Sequence, residues 1–209
     1  MKLIYGTNNK SKIESMNRIV KDLNIEINGL KDLKMKLNEP IEDGSNPLEN
    51  AIKKSRGYYQ QIGIPVFSCD SGLYFENVED SDQPGTEIKR IHGQELEGKE
   101  FIDYYSKLAK KYGGKLTAYY KNSISLVLSD DLIYNYDGSD LDSERFYIVD
   151  KPHKEYKEGY PLDSLSVDIV TNQYFYDIEG EELIDPMIDG FRGFFERVLK
   201  EIDIIYKKK

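Results

Sequence analysis

Tryptophan is absent from this 209-residue chain, alanine occurs three times and cysteine once. The lone Cys69 excludes an internal disulfide and fits a reducing cytosol. No run approaches the roughly 18 apolar residues of a membrane-spanning helix. At the start of the sequence only Leu3, Ile4 and Tyr5 are apolar, too few for the core of a signal peptide. The chain is therefore expected in the cytoplasm and away from membranes. Positive charge is also short: 29 Lys and Arg against 38 Asp and Glu leave a net charge of −9. That balance argues against a partner such as a nucleic-acid polymer, whose phosphates call for excess Lys and Arg. A small anionic ligand is compatible with it, because a metal ion or a few local cations can outweigh the global field.

Hydrophobic residues make up 39% and charged residues 32%, a polar composition with enough apolar material for a core. The 17 tyrosines, set against so little alanine, read mostly as a genome bias towards Lys, Ile, Asn and Tyr codons. Residues 2–5 form a short strand, and Ile13, Met16, Ile19, Val20 and Leu23 then fall on one helical face. Leu48, Ala51, Ile52, Ser55 and Tyr59 define a second amphipathic helix ending before Gly63. Residues 66–69 read as a short strand closed by Asp70-Ser71-Gly72, and residues 76–98 as acidic and turn-rich. A third helix is expected over 101–112. Strands are expected over 116–120, 123–128, 132–136 and 146–149, with Asp130-Asp131 as a hairpin turn. A charged loop follows over 151–161. A long helix covers 187–206, with Asp185 as N-cap and Pro186 at the first helical position. His92 and His153 fall in polar stretches and are expected at the surface. The class is α/β with a mixed sheet.

Three segments carry chemistry. Thr7-Asn8-Asn9-Lys10-Ser11-Lys12 is a polar loop between a strand and a helix. It offers backbone N–H groups, the positive end of a helix dipole and lysine charge, all suited to phosphate. It is not a P-loop, because the glycines and the Gly-Lys-Ser/Thr ending are missing. Glu42-Asp43-Gly44 with Glu49-Asn50-Ala51 places three carboxylates within eight positions, the oxygen ligands a hard divalent cation such as Mg²⁺ takes. Ser68-Cys69-Asp70-Ser71-Gly72-Leu73 puts an acid at the end of a buried strand, where α/β folds keep ligand sites. Each segment alone is also explained by ordinary surface acids, caps and turns.

In this order the three segments resemble the inosine triphosphate pyrophosphatase family, the house-cleaning nucleotide hydrolases. The family's Thr-Gly-Asn-x-x-Lys loop is matched by Thr7-Asn8-Asn9-Lys10-Ser11-Lys12. Its acidic turn and helix are matched by Glu42-Asp43-Gly44 and Glu49-Asn50-Ala51 with Lys54 and Arg56, and its Asp-Asp-Ser-Gly-Leu by Cys69-Asp70-Ser71-Gly72-Leu73. Pro84-Gly85 with Arg90 resembles a further family element. The C-terminal half matches in fragments: Gly159-Tyr160-Pro161-Leu162-Asp163-Ser164 stands for the base-site motif and Gly190-Phe191-Arg192-Gly193 for the final Ser-His-Arg-Gly.

The resemblance implies one domain over 1–209, built on a long bent mixed sheet flanked by helices, with two lobes around a central cleft. It implies a homodimer and Mg²⁺-dependent hydrolysis of a non-standard purine nucleoside triphosphate, such as that of inosine or xanthosine, to the monophosphate and pyrophosphate. Glu42 and Asp70 would bind Mg²⁺, and Asp70 or Glu49 would accept a proton from water. Thr7, Asn8, Asn9, Lys12, Lys54 and Ser71 would bind substrate, with Lys12 and the loop around Asn9 holding the phosphate tail and Lys54 supplying a further cation. Arg90, Tyr160, Asp163 and Arg192 would complete the substrate site, with Tyr160 stacking on the base, Asp163 bonding its edge and Arg192 lying against it. Two alternatives are the same hydrolysis on another nucleotide, and nucleotide binding without turnover.

Overall fold

The computed structural model describes residues 1–91, 93–155, 161–178 and 187–207. In chain order its elements are β1 (Lys2–Tyr5), α1 (Lys10–Ile19), β2 (Glu26–Gly29), α2 (Pro47–Ile62), β3 (Val66–Phe75), β4 (Arg90–Ile91), β5 (Gln94–Glu95), α3 (Gly98–Lys111), β6 (Lys115–Ser129), β7 (Leu132–Tyr136), β8 (Phe146–Val149), β9 (Ser166–Asp168) and α4 (Met187–Lys207). Strand β1 pairs in parallel with both β2 and β3. Strand β6 is antiparallel to β7 and β8, and β8 to β9. Seven strands thus form one mixed sheet in the order β2-β1-β3-β6-β8-β9, with β7 also on β6, while β4 and β5 make a separate hairpin. This is the α/β class with a large mixed sheet that the sequence leads one to expect.

The chain divides into two compact units. The first comprises Met1–Ser71, Lys121–Asp142 and Asp185–Lys209, the second Gly72–Tyr120 and Ser143–Ile184. In the first unit, α4 carries Phe191, Phe194, Phe195 and Val198 at the i, i+3, i+4, i+7 spacing of a single helical stripe. These residues are buried with Leu3, Tyr5, Val20, Phe67, Ile124 and Leu126. On the other side of β1, Ile4, Leu30, Tyr58 and Val66 form a smaller cluster. Gly190 is where α4 comes closest to its neighbour: a Cβ there would meet the Asp140 carbonyl oxygen at 2.0 Å and its carbon at 2.6 Å. Backbone cannot swing aside as a side-chain tip can. Gly190→Ala is expected to cost about 1–3 kcal/mol, the usual range for forced overpacking. For a chain of this size that is roughly 2–4 °C of melting temperature per kcal/mol. A melting curve superimposable on the parent's would show that α4 is not seated on that carbonyl.

In the second unit, α3 buries Phe101, Tyr105, Leu108 and Ala109 against Leu116, Ala118, Phe146, Ile148, Leu162 and Leu165. The buried Tyr105 hydroxyl donates to the Ile88 carbonyl at 2.7 Å, which satisfies its polar end.

Several sequence expectations need correction. Strand β3 does not stop at Cys69 but runs through Asp70, Ser71 and Gly72 to Phe75. The residues that looked like a turn hold extended backbone because their polar side chains find partners off the strand. Gly72 is needed because a Cβ there would lie 2.9 Å from the Gly85 carbonyl oxygen. The two strands expected over 116–120 and 123–128 are one 15-residue strand, β6. The interrupting Asn122 is buried, and its amide donates to the Leu141 carbonyl at 2.7 Å. Strands β2 and β9 were not anticipated, and α1 both begins and ends earlier than its apolar face indicates. His153 is not at the surface: its side chain is 7% exposed, with Nε2 3.2 Å from Asp177 and its ring against Tyr174 and Tyr176. His92, Asp185 and Pro186 lie outside the described residues. Among the described residues no helix is long and apolar enough to cross a membrane.

Candidate active site

The loop after β1 is set by its own side chains. Thr7 Oγ1 accepts from the Asn9 amide at 3.2 Å, and Asn9 Oδ1 accepts from the Lys12 amide at 3.2 Å, which makes Asn9 the N-cap of α1. The cap uses one of the unpaired amides that every helix start carries. Asn8, Asn9 and Lys12 are exposed there.

Helix α2 brings the acidic segments together. Asn46 caps it by accepting from the Glu49 amide at 3.0 Å, and Pro47 takes the first helical position, where a missing N–H costs nothing. Asn50 and Lys54 are one turn apart and face β3 on the same side. Lys54 Nζ lies 2.7 Å from Glu42 Oε2 and 3.6 Å from Asp70 Oδ1. One ammonium, its side chain 16% exposed, therefore holds two carboxylates. Those carboxylate oxygens are no further apart than the two distances laid end to end. Burial pushes the Asp70 carboxyl above its ordinary range, and Glu42 adds to the rise. Lys54, the Asn50 hydrogen bond and Lys12 pull the other way.

Glu49 is not brought to this cluster. Its carboxylate accepts from the Ser45 amide at 2.8 Å and the Ser45 hydroxyl at 3.0 Å, and these bonds hold it below the usual carboxylate range. It helps line a different cavity, of about 310 Å³, with Asn46, Leu48, Ile52, Lys121 and Ser123. Next to Asp70, the Ser71 hydroxyl donates to Asn122 Oδ1 at 2.5 Å. Cys69 is buried, and desolvation pushes its thiol up to about 12, which leaves it without nucleophilic character.

Arg192 Nε is 3.1 Å from Glu196, one turn on in α4, and Nη1 donates to the Ile19 carbonyl at 3.3 Å. Arg192 therefore sits at the end of α1 opposite the Asn9–Lys12 loop. Arg90 and Asp163 belong to the second unit. Arg90 is exposed on β4, 3.9 Å from Glu87. Asp163 lies in a 3-10 turn, Pro161–Ser164, where its charge acts on Tyr120. Tyr160 and Gly159 lie outside the described residues.

Two buried amides were missed. Asn50 Oδ1 accepts from the Gly44 amide at 2.7 Å and its Nδ2 donates to Asp70 Oδ2 at 3.1 Å. The four-residue spacing to Lys54 was a usable signal for Asn50. Asn122, 51 positions from Ser71, left none.

Among the described residues no group of three or more His, Cys, Asp or Glu could hold a metal by itself. Two partly buried carboxylates around one cation do suit Mg²⁺, which commonly takes one or two carboxylates and completes its shell with water and substrate phosphate.

The first unit thus holds both a capped helix start with exposed polar side chains and a carboxylate–lysine cluster. Residues 3–160 match the Ham1 family, and the chain belongs to it. The dITP/XTP pyrophosphatase of Leptospira interrogans is 35% identical over 129 residues, 60% of this chain and 61% of that protein. The dITP/XTP pyrophosphatase of Aquifex aeolicus is 34% identical over 103 residues, 49% of this chain and 48% of that one. The match thus spans less than two thirds of the length of these relatives. Two solved structures share the fold. The Staphylococcus aureus Ham1 protein has a TM-score of 0.68 at 22% identity, covering 94% of this chain and 98% of its own. A HAM1 protein from Coxiella burnetii has a TM-score of 0.68 at 19% identity over the whole of both chains.

Proposed function

We propose that this protein hydrolyses non-standard purine nucleoside triphosphates, such as dITP or XTP, to the nucleoside monophosphate and pyrophosphate. The observation that carries the proposal is the Glu42–Lys54–Asp70 cluster. Binding alone has no need of a partly buried carboxylate whose charge is disfavoured by its surroundings; accepting a proton from water does. The names of the matched relatives supply the substrate class.

Asp70 is the preferred general base, because the Glu49 carboxylate is already committed to Ser45. Lys12 and the backbone at the start of α1 would take the phosphate tail, and Lys54 would neutralise charge that develops on the phosphate oxygens. Mg²⁺ would be held by Glu42 and Asp70 and would supply Lewis-acid polarisation of a phosphate oxygen. The roles of Arg90, Tyr160, Asp163 and Arg192 toward the base rest on the family resemblance, as does the homodimer.

The test is incubation with Mg²⁺ and a panel of dITP, XTP, ITP, ATP, GTP and CTP, followed by assay of pyrophosphate and monophosphate. Pyrophosphate release favouring the first three is expected. Release of inorganic phosphate instead, or binding with no product from any member, would overturn the proposal.

A further inference from the structure

We infer that Asn50 is a positioning residue: its buried carboxamide ties the acidic turn that carries Glu42 to Asp70, and so fixes the spacing of the two carboxylates that receive the cation. The inference rests on the proposed hydrolase function and deepens it.

Asn50 is 4% exposed, so both ends of its amide need partners. Its orientation is dictated by the backbone. The Gly44 amide can only donate, so the group facing it at 2.7 Å must be Oδ1. That turns Nδ2 to Asp70 Oδ2 at 3.1 Å. One planar group thereby spans two segments 26 positions apart in sequence, Gly44 and Asp70, two residues beyond Glu42 on one side and at the carboxylate itself on the other. The hydrogen bond engages Oδ2 and leaves Oδ1 as the oxygen facing Lys54. Glu42 lies in a stretch outside any helix or strand. The bond to Gly44 is therefore a local constraint on where that carboxylate sits.

Partners of this kind, one step behind a metal ligand, typically change metal affinity or activity by roughly 10–100-fold when removed. A merely structural asparagine would instead lower the melting temperature and leave the affinity of the folded protein alone. The experiment titrates Mn²⁺ into the nucleotide-free protein and reads free Mn²⁺ by electron paramagnetic resonance, below the melting temperature of each variant. Asn50→Ala is expected to raise the Mn²⁺ dissociation constant by about 10-fold or more. Asn50→Ser, whose hydroxyl is too short to reach both partners, is expected to shift it the same way and serves if the alanine variant does not fold. Ser55→Ala is the control: it cuts the buried Ser55–Ser125 hydrogen bond, 2.8 Å, further along the same helix. It should lower the melting temperature and leave Mn²⁺ binding unchanged.

Mn²⁺ constants for both Asn50 variants within about twofold of the parent's, the margin this readout resolves against a 10-fold expectation, would overturn the inference. So would a parent protein that binds no Mn²⁺ while still releasing pyrophosphate. A parent that binds Mn²⁺ and hydrolyses nothing would sink the proposed function alone, and the comparison of variants would still decide the role of Asn50.

Discussion

Asp70→Asn is expected to lower kcat by about 10²-fold or more on the best substrate, since proton abstraction and metal holding are each worth on that order. The melting temperature should stay level or rise. Asp70 is largely buried and its charge is disfavoured by that burial. The neutral isostere removes the charge and still presents an oxygen to Asn50 Nδ2. Loss of activity with retained or improved stability is the pattern of a group placed for chemistry at a cost to the fold. Steady-state kinetics and a thermal melt on the same preparation check it. Retained kcat, or a collapse of stability, would remove Asp70 from the role of base.

Lys54→Met is expected to act with opposite signs on two ligands. The ammonium lies between Glu42 and Asp70, where a divalent cation would compete with it. Without it the two carboxylates should bind Mn²⁺ in nucleotide-free protein about tenfold more tightly, or better. One unit charge at about 4 Å is worth about 4 kcal/mol at an effective dielectric of 20, and about 1.4 kcal/mol is already a factor of ten. Nucleotide turnover should fall, with kcat/KM lower by about 10²-fold, because the positive charge near the phosphates is gone. In metal-free buffer the variant should also melt lower, since two neighbouring carboxylates lose their counter-charge. Mn²⁺ affinity that drops together with activity would mean that Lys54 supports the metal and does not compete with it.

What could be read from the sequence follows the range over which each feature is decided. The helices α3 and α4 were legible because residues such as Phe101, Tyr105 and Leu108, or Phe191, Phe194 and Val198, need only their own spacing to define a face. The Asp130-Asp131 hairpin turn is equally local. The course of β3 was not legible: Asp70-Ser71-Gly72 has turn composition, and only Asn50, Asn122 and the Gly85 carbonyl make extended backbone tolerable there. The same holds for β6, where Lys121-Asn122 looked like a break until the Leu141 carbonyl satisfied the amide. In the site, Glu42, Lys54 and Asp70 came through the order of motifs, since no single segment specified them. Glu49 shared the composition of a catalytic acid, and its hydrogen bonds to Ser45 are a detail that spacing does not carry.

The division of the chain bears on the order in which it can fold as it leaves the ribosome. The second unit is complete once Ile184 has been made, but the first, which holds the Glu42–Lys54–Asp70 cluster, takes its last piece from Asp185 onward. Until α4 emerges, Leu3, Tyr5, Phe67 and Ile124 lack the phenylalanines that cover them. Strand β1 thus waits until α4 has been made for its final partner, a long-range closure of the slow kind. Strands β1 and β3 are made before the helix that covers them, and during that wait their apolar residues lack that cover.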